Sequence, residues 1–78
     1  MELKLLFFGV LTDVIGVSDI EFVMKSGDVE QLNKKLQKDF PALKNYTYKI
    51  AVNQEIITTN KKLNNGDEVS FLPPFAGG

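Results

Sequence analysis

The 78-residue chain has no cysteine and no histidine, and all nine of its basic residues are lysine. Without cysteine there is no disulfide staple, no thiol nucleophile and no thiolate metal site. Without histidine the chain lacks the usual proton shuttle near neutral pH and the commonest metal ligand. Only an all-oxygen site for a hard cation remains conceivable, and no loop has the spacing for one, so no metal is expected. Without arginine the bidentate fork that clamps phosphates and carboxylates is missing. Nine lysines against ten acids leave a net charge of −1. That is no basic excess for a phosphate backbone, so a nucleic-acid partner is not expected. No apolar run approaches the ~18 residues that suggest a membrane span, and Met1-Glu2-Leu3-Lys4 does not read as a secretory signal. A cytoplasmic location without a membrane partner is the expectation.

What is present suits one small core. The hydrophobic fraction is 44%, with six phenylalanines, which argues against disorder. A chain this short buries only ~60% of its unfolded surface, so we expect a single domain over residues 1–72, followed by an extended tail over 73–78.

Alternation in Leu3-Lys4-Leu5-Leu6-Phe7-Phe8 predicts a strand with Leu3, Leu5 and Phe7 on one face and Lys4, Leu6 and Phe8 on the other. Val10 to Ile15 fits one or two helical turns closed by Gly16. Asp19 to Met24 alternates again, with Ile20, Phe22 and Met24 inward, and reads as a hairpin partner of the first strand. Asp28, with Gln31 three residues on, forms a capping box. It opens an amphipathic helix whose apolar residues include Val29, Leu32 and Leu36. Lys34, Lys35 and Lys38 give the opposite, solvated face. Pro41 disfavours helical geometry at Phe40, so this helix should stop near Asp39. Tyr48 to Val52 reads as a strand, Glu55-Ile56-Ile57 as a short edge strand, and Leu63 as a core plug from a loop. Asn64-Asn65-Gly66-Asp67 is a turn, with Gly66 supplying a positive φ. Val69 and Phe71 enter the core on a last strand. The order β, β, α, β, short β, β predicts an α+β fold with one main helix on one face of a mixed sheet. The β-grasp, or ubiquitin-like, roll fits it.

The last strand runs into Pro73-Pro74-Phe75-Ala76-Gly77-Gly78. The two prolines end the ladder and can also stiffen the exit as extended chain. Two residues without a Cβ make the thinnest possible rod of peptide, able to thread a narrow channel. A fusion scar is the bland alternative for the two glycines. On the functional reading, the reactive group is the Gly78 carboxylate, with Gly77, Ala76, Phe75, Pro74 and Pro73 as the inserted tail. The helix covers one sheet face only. Leu6, Phe8, Ile56 and Leu72 are therefore expected to form an apolar patch on the other, as a partner surface.

Gly66-Asp67-Glu68-Val69-Ser70-Phe71-Leu72-Pro73-Pro74-Phe75-Ala76-Gly77-Gly78 closely resembles the ending of the molybdopterin synthase small subunit, the MoaD family. Ala51-Val52-Asn53-Gln54 is similar to that family's strand-and-turn segment, and Leu5-Leu6-Phe7-Phe8 to its opening strand. The resemblance spans the chain. It departs in the turn after the first strand, where many relatives carry Arg-Glu and this chain has Thr12-Asp13. The resemblance implies a non-catalytic sulfur carrier without a cofactor of its own. A MoeB-type activating enzyme would use ATP, with Mg, to adenylate Gly78, and a persulfide would convert it to a thiocarboxylate. The tail would then enter a MoaE-type large subunit, in a heterotetramer, and pass sulfur to a cyclic pyranopterin precursor to build the molybdopterin dithiolene. The Gly-Gly ending is shared with the thiamine sulfur carriers of the ThiS family and with ubiquitin-like protein modifiers, which are the alternatives. The Pro-Pro pair favours the molybdopterin branch.

Overall fold

The computed structural model describes residues 1–74. The readings that fall on Phe75, Ala76, Gly77 and Gly78 lie outside the described residues. The elements are β1 (Glu2–Phe7), α1 (Val10–Ile15), β2 (Asp19–Val23), α2 (Val29–Asp39), a 3-10 turn (Pro41–Asn45), β3 (Lys49–Val52), β4 (Glu55–Ile56) and β5 (Glu68–Leu72). The sheet order is β2-β1-β5-β3-β4. β1 and β2 form the expected antiparallel hairpin, β5 lies parallel to β1, and β3 is antiparallel to both β5 and β4. This is the mixed-sheet α+β roll that the element order predicts.

The register aligns the apolar residues in rows. Ile20, Leu5, Val69 and Val52 lie side by side across four strands, and Phe7, Phe71 and Ile50 form the next row. Leu5, Val69 and Phe71 are wholly buried, as are Leu32 and Leu36 of α2, and all belong to one core cluster. The core cluster therefore lies on the helix face of the sheet. Tyr48 fastens the start of β3 to α2. Its hydroxyl donates to Asn33 Oδ1 at 2.5 Å and accepts from Gln37 Nε2 at 3.1 Å.

α2 begins where the capping box places it. Asp28 is extended (φ −125°, ψ 178°), its Oδ1 accepts the Gln31 N–H at 2.9 Å, and Gln31 Oε1 accepts the Asp28 N–H at 3.0 Å. The Gln31 N–H, helped by the Asn60 side chain and Lys34, holds the Asp28 carboxyl below the usual aspartate range. The helix ends at Asp39, and Pro41 opens the 3-10 turn that buries Leu43.

One strand boundary needs correction: β1 ends at Phe7 rather than Phe8, because Gly9 takes φ +56° and ψ −136° and turns the chain out of the sheet. Thr12 and Asp13 lie within α1, the helical turns expected over Val10 to Ile15, and Thr12 Oγ1 donates to the Phe7 carbonyl at 3.1 Å.

Candidate functional site at the end of the central strand

β5 is the middle strand of five, held on one side by β1 and on the other by β3. It is pinned at both ends. At its start, the Asp67 carboxylate accepts from Asn53 Nδ2 at 2.9 Å and from the Asn64 N–H at 2.7 Å. Asn53 Oδ1 also accepts the Glu68 N–H at 3.0 Å. Asn53 and Gln54 both take positive φ (50° and 70°), as a two-residue hairpin loop between β3 and β4 requires. Asp67 reads from sequence as turn chemistry. The structure shows it buried, as the node that ties the hairpin to the base of β5. The signal available was an Asn in a two-residue hairpin loop and an Asp after Gly66, but nothing in the sequence pairs the two.

At its far end, Phe71 pairs with Phe7 on one side and Ile50 on the other, Leu72 pairs with Lys49, and the Phe8 N–H donates to the Phe71 carbonyl at 3.3 Å. Pro73 brings no N–H, so the ladder stops there. Pro73 is half-buried and Pro74 exposed. The root of the tail thus projects from the best-secured strand of the sheet.

The face away from α2 is organised by the same register. Leu6, Ser70, Ala51 and Ile56 form one row from β1 to β4. Ser70 and Ala51 are small and buried, Leu6 is half-buried, and Ile56 is 54% exposed. Phe8, 46% exposed, leaves β1 beside the Phe71–Leu72 end of β5, where Leu72 is half-buried. The structure therefore puts Leu6, Phe8, Ile56 and Leu72 at one end of one face, with Ser70 and Ala51 as the floor between them. A groove lined by Thr47, Tyr48, Lys49, Ile56, Leu72, Pro73 and Pro74 carries this surface to the tail root. Toward the base of the sheet the face turns polar through Glu21, Lys4 and Glu68, which are register neighbours of alternating sign. An apolar centre beside the tail with a charged margin can bury against another protein.

A family model described as the ThiS family matches residues 5–78. The chain belongs to the ThiS family. A relative of this ThiS-family chain is the molybdopterin synthase sulfur carrier subunit of Haemophilus influenzae, 34% identical over 80 residues that cover 97% of this chain and 99% of its own. Among solved structures, the putative molybdopterin converting factor subunit 1 of Pyrococcus furiosus superposes with a TM-score of 0.87 at 23% identity, covering 96% of this chain and 99% of that one, and shows the shared fold. A chain of the complex of subunits 1 and 2 of the molybdopterin-converting factor from Helicobacter pylori is 30% identical, with a TM-score of 0.72 and full coverage of both chains. The resemblance read from the tail is thus borne out across the whole length of this ThiS-family member. Among its described residues, no helix is long and apolar enough to cross a membrane.

Proposed function

We propose that this chain is the sulfur-carrier small subunit of molybdopterin synthase. The observation that carries the reading is its full-length similarity to proteins named molybdopterin synthase sulfur carrier subunit, on a chain whose central strand is followed in sequence by Pro73-Pro74-Phe75-Ala76-Gly77-Gly78. The chain is a cosubstrate in the cytoplasm, and the side chains that catalyse transfer belong to its partner. That reading suits a chain without cysteine or histidine.

The chemistry follows from the carboxylate. As it stands, the Gly78 carboxylate is a poor electrophile. A MoeB-type enzyme with ATP and Mg converts it to an acyl-adenylate, releasing pyrophosphate. A persulfide sulfur displaces AMP, and a thiol then cleaves the remaining sulfur–sulfur bond, leaving a thiocarboxylate. Inside a MoaE-type large subunit, the thiocarboxylate sulfur bonds a side-chain carbon of the pyranopterin precursor and displaces the oxygen held there, whose carbon–oxygen bond breaks. Water then hydrolyses the acyl–sulfur bond, so sulfur stays on the product and Gly78 returns as a carboxylate. The Helicobacter pylori complex of subunits 1 and 2 supports a large-subunit partner. The open sheet face with Leu6, Phe8, Ile56 and Leu72 is the docking surface we assign to it, in a heterotetramer.

Removing Gly78 tests the reading. The truncated chain should keep the thermal stability of the full one, because Gly78 lies beyond the last strand, and should lose all molybdopterin formation with the large subunit. Full activity of the truncated chain would overturn sulfur carriage. Intact-mass measurement on chain recovered from cells separates the alternatives. One oxygen replaced by one sulfur marks a carrier, and high-mass adducts mark a protein modifier.

A further inference from the structure

The tail root rests on a glycine from the other end of the chain. An ideal Cβ built on Gly9 would lie 2.9 Å from Pro73 Cγ, well inside the 3.4–4 Å of ordinary contact. The Pro73 ring therefore sits in space that any side chain at position 9 would occupy. Gly9 has little freedom to yield. The Phe8 N–H is bonded to the Phe71 carbonyl at 3.3 Å, the Phe8 carbonyl accepts the Leu11 N–H at 3.1 Å, and the Gly9 carbonyl accepts the Thr12 N–H at 3.1 Å. The two peptides flanking Gly9 are thus fixed to α1, and the peptide before them to β5. Leu72 is fixed as well, by its pairing with Lys49. The free joint between these anchors is at Pro73, whose own φ is locked near about −65° by its ring.

We infer that Gly9 is a positioning residue, a seat for Pro73 that sets the direction in which the reactive tail leaves the domain. The inference rests on the sulfur-carrier reading for its consequence, though not for its geometry. To reach ordinary contact with a Cβ at Gly9 the Pro73 ring would have to retreat by about 0.5–1 Å, which redirects the exit of the chain. Five residues follow Pro73 in the sequence, so the direction set at Pro73 is the direction in which that segment starts toward a partner. Displacement of about 1 Å from productive geometry can cost ~100-fold in rate. The seat therefore acts chiefly on delivery of the tip, because Leu6, Ile56 and Leu72 of the docking face lie outside the Gly9–Pro73 contact.

The test compares wild type, G9A, P73A and G9A/P73A, each thiocarboxylated, in single-turnover sulfur transfer with the large subunit. Affinity for that subunit is measured alongside. G9A is expected to slow transfer about tenfold or more while Kd changes by less than about threefold. In G9A/P73A the ring carbon that clashes is gone, so its rate should return to within about threefold of P73A alone. Folded G9A transferring at the wild-type rate overturns the seat. So does G9A/P73A falling as far below P73A as G9A falls below wild type, which would assign Gly9 to backbone conformation alone. If G9A does not fold, recovery of folding in G9A/P73A supports the seat, and continued unfolding overturns it. In wild-type protein a nuclear Overhauser contact between Gly9 Hα and Pro73 Hγ is expected, and its absence overturns the seat. Failure of the wild-type chain to transfer sulfur would instead count against sulfur carriage, with the Overhauser contact and the folding comparison still deciding the seat.

Discussion

The Phe71 ring lies against the Phe7 ring, with centroids 5.1 Å apart and planes 17° from parallel, across the parallel pairing of β1 and β5. Tyr48 meets the same Phe71 ring edge-on at 5.8 Å. Phe71 is wholly buried, so its ring ties β5 to β1 and to the residue that precedes β3, immediately below the tail. Truncating a buried phenylalanine to alanine costs about 3–5 kcal/mol, against a total of about 5–15 kcal/mol for a small domain. Phe71→Ala should bring the chain close to unfolding, with a large fall in the urea midpoint. A midpoint within experimental error of wild type would show that the ring is not a keystone of the sheet.

Asp28 predicts how stability depends on pH. Its carboxyl is held below the usual range in the folded chain, chiefly by the Gln31 N–H. The sign follows from linkage: a carboxyl with a depressed folded-state pKa stabilises fully above its unfolded pKa, and that contribution disappears as pH falls through the folded value. Asp28→Ala should therefore melt earlier than wild type at neutral pH, with the gap narrowing on acidification through the carboxylate range. Asp28→Asn keeps an oxygen acceptor for the cap and should fall between the two at neutral pH. A wild-type-to-alanine gap that stays constant from neutral to strongly acidic pH would refute this account.

The open sheet face makes a prediction about association. Phe8 lies outside β1 and is 46% exposed, so Phe8→Asp should leave the fold intact. Burial of one such side chain is worth about 1.5–3 kcal/mol, so affinity for the large subunit should fall at least about tenfold. Lys38→Glu, on the exposed side of α2, serves as the control and should bind as wild type. Equal affinities for the two variants would move the interface away from this face.

Much of this fold can be read from local pattern. Leu3, Leu5 and Phe7 declare their face by alternation, Asp28 and Gln31 announce the start of α2, and Pro41 its end, because each signal is carried by neighbours in sequence. The pairing of β1 with β5 has no such local carrier. Alternation says which face Val69 occupies but not that Leu5 and Val52 flank it. The same limit applies at the site. The glycines and prolines of the tail are plain in the sequence, and so are the apolar residues left over once the helix face is filled. The Asp67–Asn53 node and the Gly9–Pro73 approach join residues from distant segments, and only the folded register brings them together. Phe8 reads as part of the first strand because apolar residues run through it, whereas the strand ends at Phe7, since the turn at Gly9 is set by backbone conformation rather than hydropathy.

The placement of β5 between β1 and β3 bears on how the chain is made. Synthesis runs from the N-terminus, and β5 is the last strand to emerge. A nascent chain that has not reached Leu72 has nothing to lay between β1 and β3, so its sheet stays open and its core wet. Folding is thereby timed to the arrival of the strand that bears the tail. A ribosome that stops before Leu72 releases a chain without its complete central strand, open to proteolysis.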